Sequence, residues 1–150
     1  MKQETPFILL VEDDPNDEEL TRMAFQENGI QCDLVVVSDG EEALDYVFRR
    51  GKYAHLDPNV LPNVVLLDLN LPKVNGIEVL RQLRAAERTK IVPVVIFSSS
   101  KEEKDVETSL RLGANAFVRK PIEFSEFCEA LHQLGLFWIL RNLTPKRKPG

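Results

Sequence analysis

The sequence predicts an α/β fold in which a five-stranded parallel sheet is doubly wound, with helices on both of its faces. Two observations support this. Five continuous apolar runs lack the period-two alternation of half-exposed strands, so they are typical of a parallel sheet covered on both sides. Segments with helical spacing of apolar residues separate these runs, and such alternation favours strand–helix–strand units over other architectures.

The apolar runs place the five strands at residues 7–11, 33–37, 64–67, 92–97 and 116–118. Capping signals mark where the intervening helices begin, because a short polar side chain can accept a hydrogen bond from the free amides of the first turn. A glycine after residue 112 predicts the end of the fourth helix. The capping pairs are Asp14 with Pro15, Asp39 with Glu42, Asn75 with Glu78, and Ser100 with Glu103.

The last helix is predicted by a stripe of apolar residues that would cover the sheet. It continues into five consecutive apolar residues, more than one buried helix face can hide, so we expect some of them to contact a partner. The stripe consists of Phe124, Phe127, Leu131, Leu134 and Trp138. The consecutive apolar residues are those at 136–140.

Length and charge narrow the class of protein. A chain of 150 residues with this pattern fits one domain, expected over residues 1–143 with an extended C-terminal helix, followed by a disordered basic tail over 144–150. The net charge of −5 disfavours a nucleic-acid partner. The apolar runs are too short to span a membrane, and no apolar signal region precedes the first strand, so we expect a cytoplasmic protein. Cys32 and Cys128 have no metal-binding or redox spacing, which favours reduced, packed thiols.

Polar side chains follow the predicted strands where each one ends. Glu12 and Asp13 follow the first strand, Asp68 the third, Ser98 the fourth and Lys120 the fifth. Ligands of open α/β sheets bind at this edge. Crowded carboxylates need a cation, and oxygen ligands without His or Cys favour Mg²⁺. A lysine beside them would hold a further anionic group.

Each of these residues also has a simpler interpretation. Asp14 and Ser100 fit helix caps better than ligands. Lys120, taken alone, fits a solvated surface lysine. Acids that close a buried strand are harder to explain as solvated turn residues, because they need partners. The combination of residues is therefore what predicts a functional site.

Four segments of the chain carry these residues in one order, and with them the sequence resembles the receiver domain of two-component response regulators over residues 7–125. The resemblance implies a flavodoxin-like sheet with strand order 2-1-3-4-5. The segments are ILLVEDDP at 8–15, VLLDLNLP at 65–72 with Gly76, PVVIFS at 93–98, and GANAFVRKP at 113–121.

The resemblance implies a role for each matching position. Asp68 would accept the phosphoryl group, and Lys120 would hold that group and pair with Asp68. Asp13 would bind Mg²⁺ directly, Glu12 would bind it through water, and the backbone carbonyl of Asn70 would complete the protein ligands.

The resemblance also implies a conformational switch. Ser98 would take up a phosphoryl oxygen, and Phe117 would be the switch aromatic, although the family more often carries Tyr at this position. Asn70 and Ser100 would tune how fast the phosphoryl group is lost. The bond between Lys120 and Pro121 is expected to be cis.

By the same resemblance the protein is a signalling phosphoacceptor rather than an enzyme, although it would assist its own phosphorylation and slow dephosphorylation. The apolar C-terminal run and the residues around Asp68 are similar to regulators paired with cyanobacterial phytochromes. This implies a phytochrome histidine kinase as phosphodonor and a homodimer. No output domain is recognised, so the readout would be dimerisation or an unknown downstream protein. The interface candidates are Phe137, Trp138, Ile139 and Leu140.

Two alternative functions remain. A phosphatase of the haloacid dehalogenase type also uses an aspartate nucleophile with Mg²⁺. It would carry that aspartate on the first strand with a second Asp two residues later, whereas this chain has Asn70 there. A pseudo-receiver would share the fold but bind partners without phosphorylation, and a failure of Asp68 to take up phosphate would favour it.

Overall fold

The computed structural model describes residues 7–120 and 122–136. Their five strands form one parallel sheet in the order β2-β1-β3-β4-β5, which confirms the predicted fold class and strand order. The strands are β1 (Phe7–Val11), β2 (Asp33–Val37), β3 (Val64–Leu67), β4 (Val94–Ser98) and β5 (Ala116–Arg119). The helices are α1 (Pro15–Glu27), α2 (Gly40–Phe48), α3 (Gly76–Ala85), α4 (Glu103–Arg111) and α5 (Phe124–Gln133), with a 3-10 turn at Gly51–Tyr53.

Helices cover both faces of the sheet, so the central strands are buried on each side. Successive residues of β1 alternate between two cores, because side chains of a strand point to opposite faces. Leu9 packs on one face with Leu80 of α3, and Leu10 packs on the other with Phe25 of α1 and Phe127 of α5. This arrangement explains why the strands appear in the sequence as continuous apolar runs.

Three of the four predicted helix starts are confirmed. Asp14, Asp39 and Asn75 each accept a hydrogen bond from an amide in the first turn of the helix that follows, over 2.7–3.0 Å. Ser100 is not a cap, and this prediction was wrong. Helix α4 begins only at Glu103, and the Ser100 hydroxyl instead contacts the Asp105 carboxylate inside the first turn.

The fourth strand begins two residues later than predicted. Pro93 has no amide hydrogen for a strand ladder, and β4 begins at Val94, whose amide donates to the side chain of Asn115 at 2.9 Å. Gly113, with φ 104°, follows the end of α4 as predicted.

Helix α5 buries Phe127 and Leu131 and ends at Gln133. Gly135 then takes a φ of 74°, and Leu136 folds onto the same core at 3% exposure. The described part of the predicted stripe is therefore interrupted after Gln133, because this left-handed glycine ends α5. The remaining apolar residues, 137–140, and the tail lie outside the described residues. No helix in the described part of the chain has the length and apolarity to cross a membrane.

Candidate functional site

An open cleft of about 450 Å³ lies at the carboxyl ends of β1 and β3. The strand order reverses between these two strands, which is where open α/β sheets bind ligands. Five of the residues predicted from the sequence line it or its rim: Glu12, Asp13, Asp68, Asn70 and Lys120. The other lining residues are Asp14, Asp17 and Ser99.

The turn after β1 fixes the position of the Glu12 carboxylate. One of its oxygens accepts hydrogen bonds from the backbone amides of Asp13 at 3.1 Å and Asp14 at 3.3 Å. The amide of Glu12 donates to the carbonyl of Val37 at 3.0 Å, which extends the β1–β2 pairing by one residue. Glu12 is buried at 3% exposure, whereas Asp13 is exposed. The turn after β1 thus holds the Glu12 carboxylate in a fixed, buried position and leaves Asp13 exposed to solvent.

Asp68 lies directly after β3 and is 6% exposed, so its carboxylate is nearly buried but reaches the cleft. Its amide donates to the carbonyl of Val11 at 3.1 Å, and its Oδ1 accepts from the amide of Asn70 at 3.1 Å. These bonds hold the side chain against the backbone of its own loop. The other oxygen, Oδ2, faces the lysine described below.

Gly76 lets the loop after Asp68 fold back onto itself. Its amide donates to the carbonyl of Leu69 at 3.0 Å, and a Cβ at this position would lie 2.3 Å from the carbonyl oxygen of Asp68. Any larger residue would have to displace the backbone of Asp68. The glycine that accompanies the Asp68 segment in the sequence therefore has a steric reason to be there.

The carboxylates of Glu12, Asp13 and Asp68 can share a cation. One oxygen from each lies within 4.8 Å of the others. Three carboxylates and no nitrogen or sulfur ligand form a donor set that suits a hard divalent cation such as Mg²⁺. The residues present therefore fit the metal that the sequence predicts.

Lys120 extends into the same group of acids. Its Nζ contacts Glu12, lies 2.7 Å from Oδ2 of Asp17 and lies 3.4 Å from Oδ2 of Asp68. It also lies 5.0 Å from the centroid of the Phe97 ring. The solvated surface position that a single lysine would suggest is therefore excluded: Lys120 belongs to the site.

The pKa values of both Glu12 and Lys120 are raised, although burial acts on the two groups in opposite directions. Burial, reinforced by the charge of Asp68, raises the pKa of the Glu12 carboxyl to about 7, although the contact with Lys120 opposes the rise. Burial lowers the pKa of Lys120, but hydrogen bonds to Asp17 and Glu12 and the charge of Asp68 outweigh it, so the pKa lies above its usual value. Lys120 is therefore a permanent cation at neutral pH.

Ser98 does not line the cleft. Its side chain is fully buried, and its hydroxyl accepts a hydrogen bond from the amide of Ser100 at 3.3 Å, while Ser99 lines the cleft in its place. Phe117 is half-buried and lies beside Ile96 in the β4–β5 register. The structure thus brings the acids and the lysine together in the cleft, whereas the two predicted switch residues, Ser98 and Phe117, do not line it.

Besides Ser99, the sequence interpretation missed one lining residue of the site, Asp17. It lies in the first turn of α1 rather than at a strand end. Its closeness to Lys120, 103 positions away, depends on how α1 packs. A signal was available, because the helix start at Asp14 and Pro15 places this acid beside the strand-end cluster.

The response regulator receiver domain family matches residues 8–132 of the chain. The chain belongs to this family. Its members signal by phosphorylation of an aspartate and are phosphoacceptors rather than enzymes in the usual sense. The candidate phosphoacceptor, Asp68, follows β3 rather than the first strand, and Asn70 stands where the phosphatase would carry a second Asp, so the phosphatase alternative is not favoured.

The chain is similar to response regulator Rcp1 and to two regulators whose names refer to phytochromes. Response regulator Rcp1 of Synechocystis is 33% identical over 132 residues, which cover 88% of each chain. Its Mn²⁺-bound structure has a TM-score of 0.78 at 31% identity, over 97% of this chain and 99% of that one. The bacteriophytochrome response regulator RtBRR has a TM-score of 0.78 at 44% identity, over 98% of this chain and 85% of that one. The phosphorylated cyanobacterial phytochrome response regulator RcpA has a TM-score of 0.79 at 33% identity, over 95% and 100%.

Proposed function

We propose that this receiver domain accepts a phosphoryl group on Asp68 from a sensor histidine kinase. One observation carries the assignment of Asp68: its carboxylate reaches the cleft while Glu12, Asp13 and Lys120 surround it. A carboxylate attacks an anionic phosphoryl group only where positive charge offsets their repulsion. One oxygen of the Asp68 carboxylate accepts from the amide of Asn70, and the other lies 3.4 Å from Nζ of Lys120, so the lysine's charge lies beside the attacking group.

The reaction is a transfer between two covalent carriers. An oxygen of the Asp68 carboxylate forms a bond to phosphorus while the bond between phosphorus and the kinase's histidine nitrogen breaks. The imidazole leaves with the electron pair of that bond and takes up a proton, and Asp68 becomes a mixed anhydride. Water later attacks the phosphorus and restores the carboxylate with release of inorganic phosphate. Lys120 holds a phosphoryl oxygen by its charge.

Mg²⁺ is the proposed cofactor, held directly by Asp13 and Asp68, by the backbone carbonyl of Asn70, and through water by Glu12. When bound, it supplies positive charge to the phosphoryl oxygens. The oxygen-only donor set supports this choice, and the Mn²⁺-bound form of Rcp1 is a similar receiver structure that holds a divalent ion.

A phytochrome histidine kinase is the proposed phosphodonor. RtBRR and RcpA are both phytochrome response regulators by name. The identity is higher with the bacteriophytochrome regulator, at 44%, than with the cyanobacterial one, at 33%. The comparisons therefore support a phytochrome pathway, with a cyanobacterial regulator and a bacteriophytochrome regulator both among the similar structures.

Phosphorylation would reach the surface through β4 and β5. The amide of Lys120 donates to the carbonyl of Ser98 at 2.9 Å, and Ile96 pairs with Phe117 two residues earlier. A pull on Ser98 by a phosphoryl oxygen would therefore act on the strand that carries Phe117. Asn70 and Ser100, at the two loops that flank the site, would set how fast water reaches the anhydride.

The proposed output is a homodimer, or the binding of a downstream protein, in the cytoplasm. The residues proposed for the interface, Phe137, Trp138, Ile139 and Leu140, lie outside the described part of the chain, as do Pro121 and the proposed tail at 144–150. The apolar character of the run supports the interface, and the charge of −5 gives no support to a nucleic-acid partner.

The test is the intact mass of the protein after incubation with acetyl phosphate, with and without Mg²⁺, for the unaltered chain and for Asp68→Asn. We expect one phosphoryl group that hydroxylamine removes and that requires both Mg²⁺ and Asp68. Asn63→Asp offers a control, because it creates an acid at the opposite end of β3. It should accept no second phosphoryl group. No gain of mass under any condition would favour the pseudo-receiver, which binds partners without phosphorylation.

A further inference from the structure

Lys120 is shared by three carboxylates, and they are not equivalent. Its Nζ lies 2.7 Å from Asp17 and 3.4 Å from Asp68, and it also contacts Glu12. The side chains of Lys120 and Asp17 are 12% and 18% exposed, so water screens their contact only in part. The two shorter contacts of Lys120 are therefore those with Glu12 and Asp17. The reaction proposed above does not use Asp17.

The other two partners of the lysine are also needed elsewhere. In the part of the chain that the structure describes, the acids close enough to share a cation are Glu12, Asp13 and Asp68, and Asp17 is not among them. A lysine that binds Glu12 and Asp68 competes with a divalent ion for the same oxygens, and the two cations repel each other. An ion at these acids therefore leaves Asp17 as the lysine's own carboxylate.

We infer, on the basis of the proposed Mg²⁺ site, that Asp17 is a positioning residue that keeps Lys120 from competing with the ion for Glu12 and Asp68. With Asp17 in place, the lysine keeps an anionic partner while the ion takes the other acids. Without it, the lysine turns to Glu12 and Asp68 and weakens their affinity for the ion. Lys120 then has to be displaced before the ion can bind.

The start of α1 holds Asp17 in place independently of any metal. Its amide donates to the carbonyl of Asp14 at 3.1 Å, and its carbonyl accepts from the Thr21 hydroxyl at 2.9 Å. Thr21 is fully buried, which anchors this turn against the core. The partial positive charge of a helix N-terminus also favours an acidic side chain in the first turn. The backbone of Asp17 is thus held by the helix, and from this position its carboxylate reaches Lys120.

A double-mutant cycle on Mg²⁺ affinity tests the inference. Isothermal titration calorimetry with MgCl₂ would compare the unaltered protein with Asp17→Asn, Lys120→Met and the double variant. Methionine keeps an apolar stem beside Phe97 while removing the charge. We expect Asp17→Asn alone to raise the dissociation constant about tenfold, the order of effect of one charge-assisted hydrogen bond. In the Lys120→Met background the same change should alter it by less than about twofold.

Two further variants separate a specific contact from a general loss of charge. Glu18→Gln removes one negative charge from the same turn, where Glu18 pairs with Arg22 at 3.0 Å. It should change the dissociation constant by less than about twofold. Asp17→Glu keeps the carboxylate and should restore most of the affinity. Circular dichroism would confirm that each variant is folded.

The outcomes are distinct. If Asp17→Asn weakens Mg²⁺ binding equally in the unaltered protein and in Lys120→Met, Asp17 acts only through its charge on the ion. That result would overturn the inference. So would an unchanged affinity in Asp17→Asn, and both results would leave the proposed receiver function standing. A lack of Mg²⁺ binding by the unaltered protein would overturn the proposed metal site together with the inference.

Discussion

The ring of Phe97 in β4 stacks on the ring of Phe127 in α5, with their centroids 5.0 Å apart and their planes at 22°. Both side chains are 1% exposed. Since Lys120 lies against the same Phe97 ring, this pair forms part of the floor beneath the site. The packing of α5 on the sheet and the position of the lysine therefore share one aromatic contact.

Truncation of Phe127 should destabilise the whole domain. Phe127→Ala removes a fully buried ring together with its stacking contact to Phe97. We therefore expect a loss of about 3–5 kcal/mol in the free energy of unfolding. Urea denaturation followed by circular dichroism measures it. Ser125→Ala, at an exposed position of the same helix, serves as the control. A loss below about 1 kcal/mol for Phe127→Ala would contradict the packing described here.

A side chain at Gly76 should damage the site more than the fold. In Gly76→Ala the new Cβ would lie 2.3 Å from the Asp68 carbonyl oxygen, so the Asp68 loop must move. We expect phosphorylation by acetyl phosphate to fall at least about tenfold, with a stability loss of about 2 kcal/mol.

A neighbouring variant separates these two effects. Asn75→Ala removes the cap of α3, where Asn75 accepts from the amide of Glu78 at 3.0 Å. It should cost about 1 kcal/mol of stability while phosphorylation stays within about twofold of normal. Equal rates of phosphorylation in Gly76→Ala and Asn75→Ala would show that the close approach at Gly76 does not position Asp68.

Cys32 should be an unreactive thiol. Burial, with a further contribution from the charge of Asp33, raises its pKa from 9.0 to about 11. A raised pKa means that less thiolate is present, so alkylation by iodoacetamide at pH 8 should be about a hundredfold slower than for a free cysteine. Mass spectrometry of Cys128→Ser, in which Cys32 is the remaining thiol, gives the rate.

The pH dependence of that rate gives a second check. The rate should rise about tenfold per pH unit between pH 7 and 10, because the thiolate fraction grows in that way below the pKa. A free cysteine in a short peptide is the control, and its rate should already level off as the pH approaches 10. A similar plateau for Cys32 would contradict the raised pKa.

The proposed dimer should depend on the apolar residues after Leu136. The double variant Phe137→Ala with Trp138→Ala removes the two aromatic side chains of this run, and aromatic side chains dominate the binding energy of most interfaces. We expect a smaller particle than the unaltered protein in sedimentation velocity. A folded monomer both before and after the change would contradict the interface.

The sequence predicts the sheet of this protein well, because strands that are buried on both faces appear in it as continuous apolar runs. The bounds predicted for β1, β2 and β3 match the observed ones. Position along the chain also identifies Glu12, Asp13 and Asp68 as neighbours, since parallel strands end at one edge. These inferences need only the period of the pattern and the topology.

Other features of the site depend on where side chains point and on how helices pack, and the spacing of residues in the sequence does not specify either. Ser98 is the last residue of β4 and Asp68 directly follows β3, yet the side chain of Ser98 does not reach the cleft and Ser99 lines it. Asp17 reaches the site because α1 packs as it does. The capping motif at Ser100 competes with its contact to Asp105, and short polar side chains have several such local partners. Sequence spacing alone does not decide among them.

The contact between Glu12 and Lys120 joins residues 108 positions apart. During synthesis the acids of β1 and β3 leave the ribosome well before the lysine of β5, so a nascent chain carries the carboxylates without their cation. Truncation before β5 leaves the same imbalance. The site thus acquires its lysine only in the finished chain, and loss of the chain after α3 would remove Lys120 while leaving Glu12, Asp13, Asp17 and Asp68 in place.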